Sequence, residues 1–265
     1  MAKAVRAHHL KQMKQAGTTI SMLTAYDAMT ARIFDAAGID MLLVGDSYGN
    51  TMLGYDSTVP VSLEEMLVAT RGVARGASRA FVVADMPFGS YESSTEKAVE
   101  SAVALVKAGA NAVKLEGGAR SAHVIEAITR AGILVVGHIG FTPQSENALG
   151  GPRVQGRGDA AENLIADAHA VEDAGAIAVV LEMVPAEVAR RATQELDIPT
   201  IGIGAGQGTD GQVLVWTDMA AMSEWHPKFV QVFGEVGKAL RDAASAYNEA
   251  VKNKTFPDES HSFIE

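Results

Sequence analysis

One pattern recurs along the chain and restricts its fold more than any other feature. It reads as a helix end, a glycine, a short apolar run and then a polar residue. Four segments follow it: Ala36-Ala-Gly-Ile-Asp-Met-Leu-Leu-Val-Gly-Asp46, Lys107-Ala-Gly-Ala-Asn-Ala-Val-Lys-Leu-Glu116, Arg130-Ala-Gly-Ile-Leu-Val-Val-Gly-His138 and Asp173-Ala-Gly-Ala-Ile-Ala-Val-Val-Leu-Glu182. Ala74 to Asp85 is a looser copy. The glycine suits the left-handed position that stops a helix. The run after it is β-prone and does not alternate, as expected of a strand buried on both faces. Buried strands that each follow a helix imply parallel βα units.

Eight strands are predicted, near 19–25, 39–45, 80–85, 110–116, 132–138, 176–182, 199–203 and 211–216. Helices are predicted over 27–37, 63–76, 94–108, 119–130, 159–174, 185–194 and 225–251, with an N-terminal helical segment within 1–18. The gap 204–211 is too short for a helix, so the seventh βα unit is partly degenerate. The expected fold is α/β, a (β/α)8 TIM barrel forming one domain over 1–265, with a polar tail at 252–265. The competing fold, an open doubly wound sheet, would usually carry a Gly-rich turn after its first strand. Here that strand ends Thr24-Ala25-Tyr26-Asp27.

Composition excludes several function classes. Cysteine is absent, which removes disulfides, thiolate metal sites and a thiol nucleophile. Lys and Arg number 22 against 32 Asp and Glu, a net charge of −10 that argues against a general nucleic-acid binder. The basic start, with Lys3, Arg6, Lys11 and Lys14, leads into no signal-like apolar run, and no stretch approaches a membrane span. A cytoplasmic protein without membrane or nucleic-acid partners is expected.

The polar residues concentrate where the strands end. Strand two runs to Asp46, strand three to Asp85, strand five to His138 and strand six to Glu182. Lys114 and Glu116 are two apart in strand four and so share a face. Any one of these acids alone reads most simply as a turn former or helix cap. Four at corresponding strand ends read as a shared site, because a carboxylate in a barrel is costly unless a cation or metal offsets it. Carboxylates with one Lys suit a hard divalent ion such as Mg²⁺ better than zinc, since no Cys exists and no second His lies near His138. His8, His9, His123 and His169 fall in helices and read as surface or packing residues. The glycines of Ile201-Gly-Ile-Gly-Ala-Gly206 are open to two readings, a phosphate cradle or close backbone packing. On pattern alone, the chemistry reached is metal-assisted proton abstraction beside a carbonyl.

Several longer motifs carry a resemblance. Val44-Gly-Asp-Ser-Tyr-Gly-Asn50, Ala84-Asp-Met-Pro-Phe-Gly-Ser-Tyr91, Val113-Lys-Leu-Glu-Gly-Gly118, Gly137-His-Ile-Gly-Phe-Thr-Pro-Gln144 and Ile203-Gly-Ala-Gly206 resemble the ketopantoate hydroxymethyltransferase family, and the likeness extends from about Thr19 to Phe263. It implies a TIM-barrel enzyme of pantothenate biosynthesis. Such an enzyme transfers a one-carbon unit from 5,10-methylenetetrahydrofolate to 3-methyl-2-oxobutanoate, giving 2-dehydropantoate and tetrahydrofolate. By position, Asp46 and Asp85 match Mg²⁺ ligands, and Glu116 a third metal-site carboxylate, acting directly or through water. Ser47 and Lys114, with Asp46 and Asp85, match substrate contacts; Glu182 matches the general base, and Tyr26 and His138 match pocket-lining residues. The resemblance also implies a homo-oligomer, often a decamer. Two rival classes stand against it. A lyase or mutase resembling isocitrate lyase or phosphoenolpyruvate mutase would use similar carboxylates and Mg²⁺, but a lyase of that kind would need a catalytic Cys, which this chain lacks. A non-catalytic barrel would normally have lost metal or base residues.

Overall fold

A computed structural model describes residues 3–223 and 225–263. They group into two compact units, one ending at Leu214 and one beginning at Val215.

The first unit is a closed barrel of eight parallel strands in the order β1 to β8. The strands are β1 Ile20–Thr24, β2 Met41–Val44, β3 Phe81–Asp85, β4 Ala112–Glu116, β5 Leu134–Gly140, β6 Ala178–Glu182, β7 Thr200–Ile203 and β8 Gly211–Leu214. All residues of β2, β3, β4 and β7 are buried, as the unbroken apolar runs require. Helix α1 (Ala7–Ala16) precedes the barrel; α2 (Ala28–Ala36), α3 (Leu63–Gly76), α4 (Thr95–Ala108), α5 (Ala122–Arg130), α6 (Glu146–Leu149), α7 (Ala160–Asp173) and α8 (Ala186–Glu195) lie between strands. Local chemistry sets their starts. Asp27 caps α2 by accepting from the Met29 and Thr30 amides, and Ser62 with Glu65 forms a reciprocal capping box on α3. No helix separates β7 from β8, so the seventh unit is degenerate as expected.

Of the glycines between those two strands, Gly206 and Gly208 sit in close packing. Gly206 has φ +76°, and a Cβ there would run into Ala186. Lys14 fixes α1 to the end of the barrel where strands begin, bonding the Thr193 carbonyl and Asp210 carboxylate at 2.8 Å each. Among the described residues no helix is long and apolar enough to cross a membrane.

Four expectations shift. The long loop after β2 holds a π-helical turn at Gly49–Leu53, and the first turn before α5 is 3₁₀, at Ala119–Ser121. Strand β5 continues two residues past His138, because Ile139 and Gly140 pair with Leu181 and Glu182. The helix expected over 225–251 is absent over its first part. The second unit instead has a short α9 (Trp216–Met219) and then α10 (Val236–Lys252). Pro227 disfavours helix in the residue before it, and Gly234 sits just ahead of the true start, so the apolar residues Val230 and Phe233 gave a false helical period.

Gly140 is where the barrel wall turns out of β5. Its φ is +92°, and an added Cβ would press into the Glu182 backbone. Gly140→Ala is therefore expected to cost about 2 kcal/mol or more in chemical unfolding; an unchanged midpoint would show that this backbone pairing is not constrained.

Candidate active site

The strand register decides which side chains meet. Asp85 pairs with Lys114, Glu116 with His138, and Gly140 with Glu182. Residues in register on parallel strands face the same way, and i and i+2 share a face. One inward row therefore carries Asp85, Lys114, Glu116, His138 and Glu182 across four consecutive strands. Asp46 does not belong to this row. Val44 pairs with Ala84, so Asp46 would share the parity of Ala84 and not of Asp85. It reaches the cluster because the chain leaves the sheet after Val44 and turns, with the Tyr48 amide donating to the Gly45 carbonyl at 3.0 Å. The Asp46 amide then donates to Asp85 Oδ2 at 3.0 Å.

Lys114 lies at the centre. Its Nζ is 2.9 Å from Asp85 Oδ1 and 3.3 Å from His138 Nδ1. His138 in turn places Nε2 3.1 Å from Glu182 Oε2 and Nδ1 3.5 Å from Glu116 Oε1. Asp46, Asp85, Lys114, Glu116 and His138 are all buried, while the Glu182 side chain retains 17% exposure. Glu182 is thus the acid that opens most towards solvent. Ser47 and Tyr26 form a pair beside this group, their hydroxyls 2.8 Å apart. The structure thus brings together Asp46, Asp85, Lys114, Glu116, His138 and Glu182, with Tyr26 and Ser47 next to Asp46.

Burial and charge act against each other here. Burial pushes Asp85 up to about 6 although Lys114 pulls it down, and burial followed by the Glu116 charge raises Asp46. Burial alone would neutralise Lys114, but Asp85, Asp46 and Glu116 outweigh it and raise its pKa. Burial and Lys114 both work against a charged His138; its bonds to Glu116 and Glu182 outweigh them and lift it to about 9. An imidazolium donates from both nitrogens, so the Lys114–His138 approach is a contact between two donors and not a hydrogen bond. Four carboxylates then face two cations, which leaves the cluster short of positive charge when every acid is ionised.

Two residues that the strand pattern did not single out for a role complete the site. Gln144, in the loop after β5, donates from Nε2 to Asp46 Oδ2 at 2.8 Å and to the Met86 carbonyl at 3.0 Å. Its Oε1 accepts from Tyr91 Oη at 2.6 Å, and its amide donates to Glu116 Oε2 at 3.1 Å. Both Nε2 hydrogens face acceptors and Oε1 faces a hydroxyl, which fixes the orientation of the side-chain amide. No periodicity marks a loop residue. The only signal for Gln144 is its place in the Phe141-Thr-Pro-Gln motif.

The donor set bears on a metal. Among the described residues no three His, Asp or Glu side chains form a ready metal cage. The Glu116 oxygens already face the Gln144 amide and His138. Asp85 Oδ1 is buried, and Lys114 Nζ at 2.9 Å is the cation that meets it. Two neighbouring buried carboxylates with raised pKa values, an oxygen-rich surrounding and a deficit of positive charge fit a hard divalent cation held by two carboxylates and substrate oxygens.

A closed (β/α)8 barrel with a charged cluster at the C-terminal ends of its strands defines a TIM-barrel enzyme. Solved structures agree on that fold. A 2,3-dimethylmalate lyase of the PEP mutase/isocitrate lyase superfamily matches with a TM-score of 0.61 at 17% identity, covering 99% of this chain and 93% of that one. A phosphonopyruvate hydrolase in complex with oxalate and Mg²⁺ matches with a TM-score of 0.57 at 15% identity, covering 97% and 93%. Sequence narrows the class. Residues 4–259 match the family model for ketopantoate hydroxymethyltransferase. A 3-methyl-2-oxobutanoate hydroxymethyltransferase of Rhodococcus jostii is 60% identical over 98% of this chain and 91% of that protein; one of Leifsonia xyli subsp. xyli is 56% identical over 98% and 95%. The chain belongs to the ketopantoate hydroxymethyltransferase family and is a transferase.

The His138 pairing has a pH signature. Its folded pKa is raised above 6.5, so its contribution to stability is complete below pH 6.5 and is lost as pH rises through about 9. In metal-free protein, urea unfolding between pH 6.5 and 9 is expected to show stability falling with pH, and His138→Gln to flatten that slope. An identical slope in the variant would exclude the charged pairing.

Proposed function

We propose that this chain transfers a one-carbon unit from 5,10-methylenetetrahydrofolate to 3-methyl-2-oxobutanoate, with Mg²⁺ as its metal ion. The observation that carries this reading is a cluster short of positive charge in which one carboxylate, Glu182, stands apart from the Asp46–Asp85 pair across Lys114 and His138. Asp46 and Asp85 would hold the metal, and Glu116 would support it through water. When bound, the cation supplies positive charge to the oxygens of the oxo acid as its C3 proton leaves.

The chain's own residues do the rest. Lys114 offsets the charge that develops on the keto oxygen, from a buried position where that interaction is strong. Ser47, held by Tyr26, offers a hydroxyl to the substrate carboxylate. Glu182 takes the C3 proton, and its bond to His138 Nε2 fixes its orientation. The C3 carbanion equivalent then forms a bond to the methylene carbon of the folate, both of whose carbon–nitrogen bonds break with the electron pairs going to N5 and N10. One water supplies the product hydroxyl, and its released proton and the proton taken by Glu182 end on the two nitrogens. Gln144 keeps Asp46 and Glu116 apart by bonding both. The reading includes a homo-oligomer, supported by apolar residues exposed along α10: Val236, Leu240, Tyr247 and Val251.

Two substitutions test it. Glu182→Gln is expected to bind Mg²⁺ and oxo acid normally while kcat falls by about 10²–10⁴-fold, the usual worth of a positioned base; near-normal kcat would reassign the base. Asp85→Asn is expected to weaken Mg²⁺ binding and activity together. Full activity in chelator-treated wild-type protein would refute the metal assignment.

A further inference from the structure

A cavity opens beside the cluster. It has a volume of about 220 Å³ and lies among the loops after β3, β4 and β5. Glu116 and Gln144 form part of its wall, so it adjoins the proposed oxo-acid site directly. The loop after β3 contributes Phe88, which is 48% exposed, and the buried Tyr91. The segment after β4 contributes Arg120 and His123.

The charges around this cavity are unevenly satisfied. Glu116 is engaged by Gln144 and His138, and Glu92 Oε2 accepts from the Gly89 and Tyr91 amides at 2.8 and 3.2 Å. Arg120 has no such partner. Its Nη2 donates to Ser145 Oγ at 2.8 Å, and among the described residues no carboxylate lies within 4.0 Å of Arg120 or His123. An exposed aromatic face and a guanidinium without a carboxylate partner, lining one cavity, suit a ligand with a ring and a carboxylate: the ring stacks on Phe88, and the carboxylate takes the Arg120 fork. The volume suits one ring system and not a whole folate.

We infer that this cavity is the donor subsite and takes the p-aminobenzoylglutamate half of the folate, with Phe88 against the ring and Arg120 on a glutamate carboxylate. This rests on the folate reading above. The reactive methylene joins the two halves of the donor. Seating one half beside Glu116 and Gln144 therefore brings that carbon towards the oxo-acid site and leaves the pterin outside this cavity.

Binding of tetrahydrofolate and of tetrahydropteroate, which lacks the glutamate, separates the possibilities. Titrations use full-length protein with Mg²⁺ and 3-methyl-2-oxobutanoate present. Wild-type protein is expected to bind tetrahydrofolate about tenfold more tightly than tetrahydropteroate. In Arg120→Ala that preference should vanish, through weaker tetrahydrofolate binding alone, while the Kd for the oxo acid stays as in wild type. Phe88→Ala should weaken both folates alike. Both side chains are solvent-exposed, so neither variant removes core packing. If wild-type protein binds neither folate, the folate reading itself falls and the subsite with it. If it binds both and Arg120→Ala keeps the preference, the folate reading stands and the subsite assignment is overturned.

Discussion

Lys114 is the buried cation on which the arrangement of acids depends. Asp85 pairs with it directly, and the charges of Asp46 and Glu116 help to keep it protonated. Without it, the buried carboxylates would face His138 as their one neighbouring cation and would protonate or move apart. Its position follows from register alone: β4 sets it beside Asp85 on β3, and Glu116 follows on the same face one pleat later. The price of holding so much charge in a barrel mouth is a raised pKa at Asp46 and Asp85, a stress that a divalent ion would relieve.

The site therefore divides into two sides. Asp46 and Asp85 form the side suited to a cation, and Glu182 the side suited to a proton. His138 spans the gap by touching both Glu116 and Glu182. In the proposed reading such separation keeps the base from acting as a metal ligand, and it comes from placing the acids on different strands of one closed sheet. Gln144 adds a tie across the loops, joining Asp46, the Met86 carbonyl, Tyr91 and Glu116 in one network.

Much of this was legible in the sequence because parallel barrels write their geometry plainly. A glycine-stopped helix followed by an apolar run locates each strand, and a polar residue at the run's end falls at the barrel mouth. Lys114 and Glu116 share a face for the same reason. Asp46 was found at the right end of the right strand, although it enters by a turn and not by strand parity. What the pattern could not show was contact between loops. Gln144 and Tyr91 meet across 53 positions of chain, which no local period records. The helix expected from 225 failed for the opposite reason: apolar residues there fell at helical spacing while Pro227 and Gly234 broke the backbone.

On the proposed reading, this cluster activates the C3–H bond of an oxo acid before any one-carbon donor takes part, and proton exchange reports that step. With Mg²⁺ in deuterated water and no folate present, the protein is expected to replace the C3 hydrogen of 3-methyl-2-oxobutanoate with deuterium, as followed by proton NMR, and to stop when the ion is chelated. Exchange no faster than in protein-free solution, with the oxo acid shown to be bound, would mean that the cluster does not activate this bond.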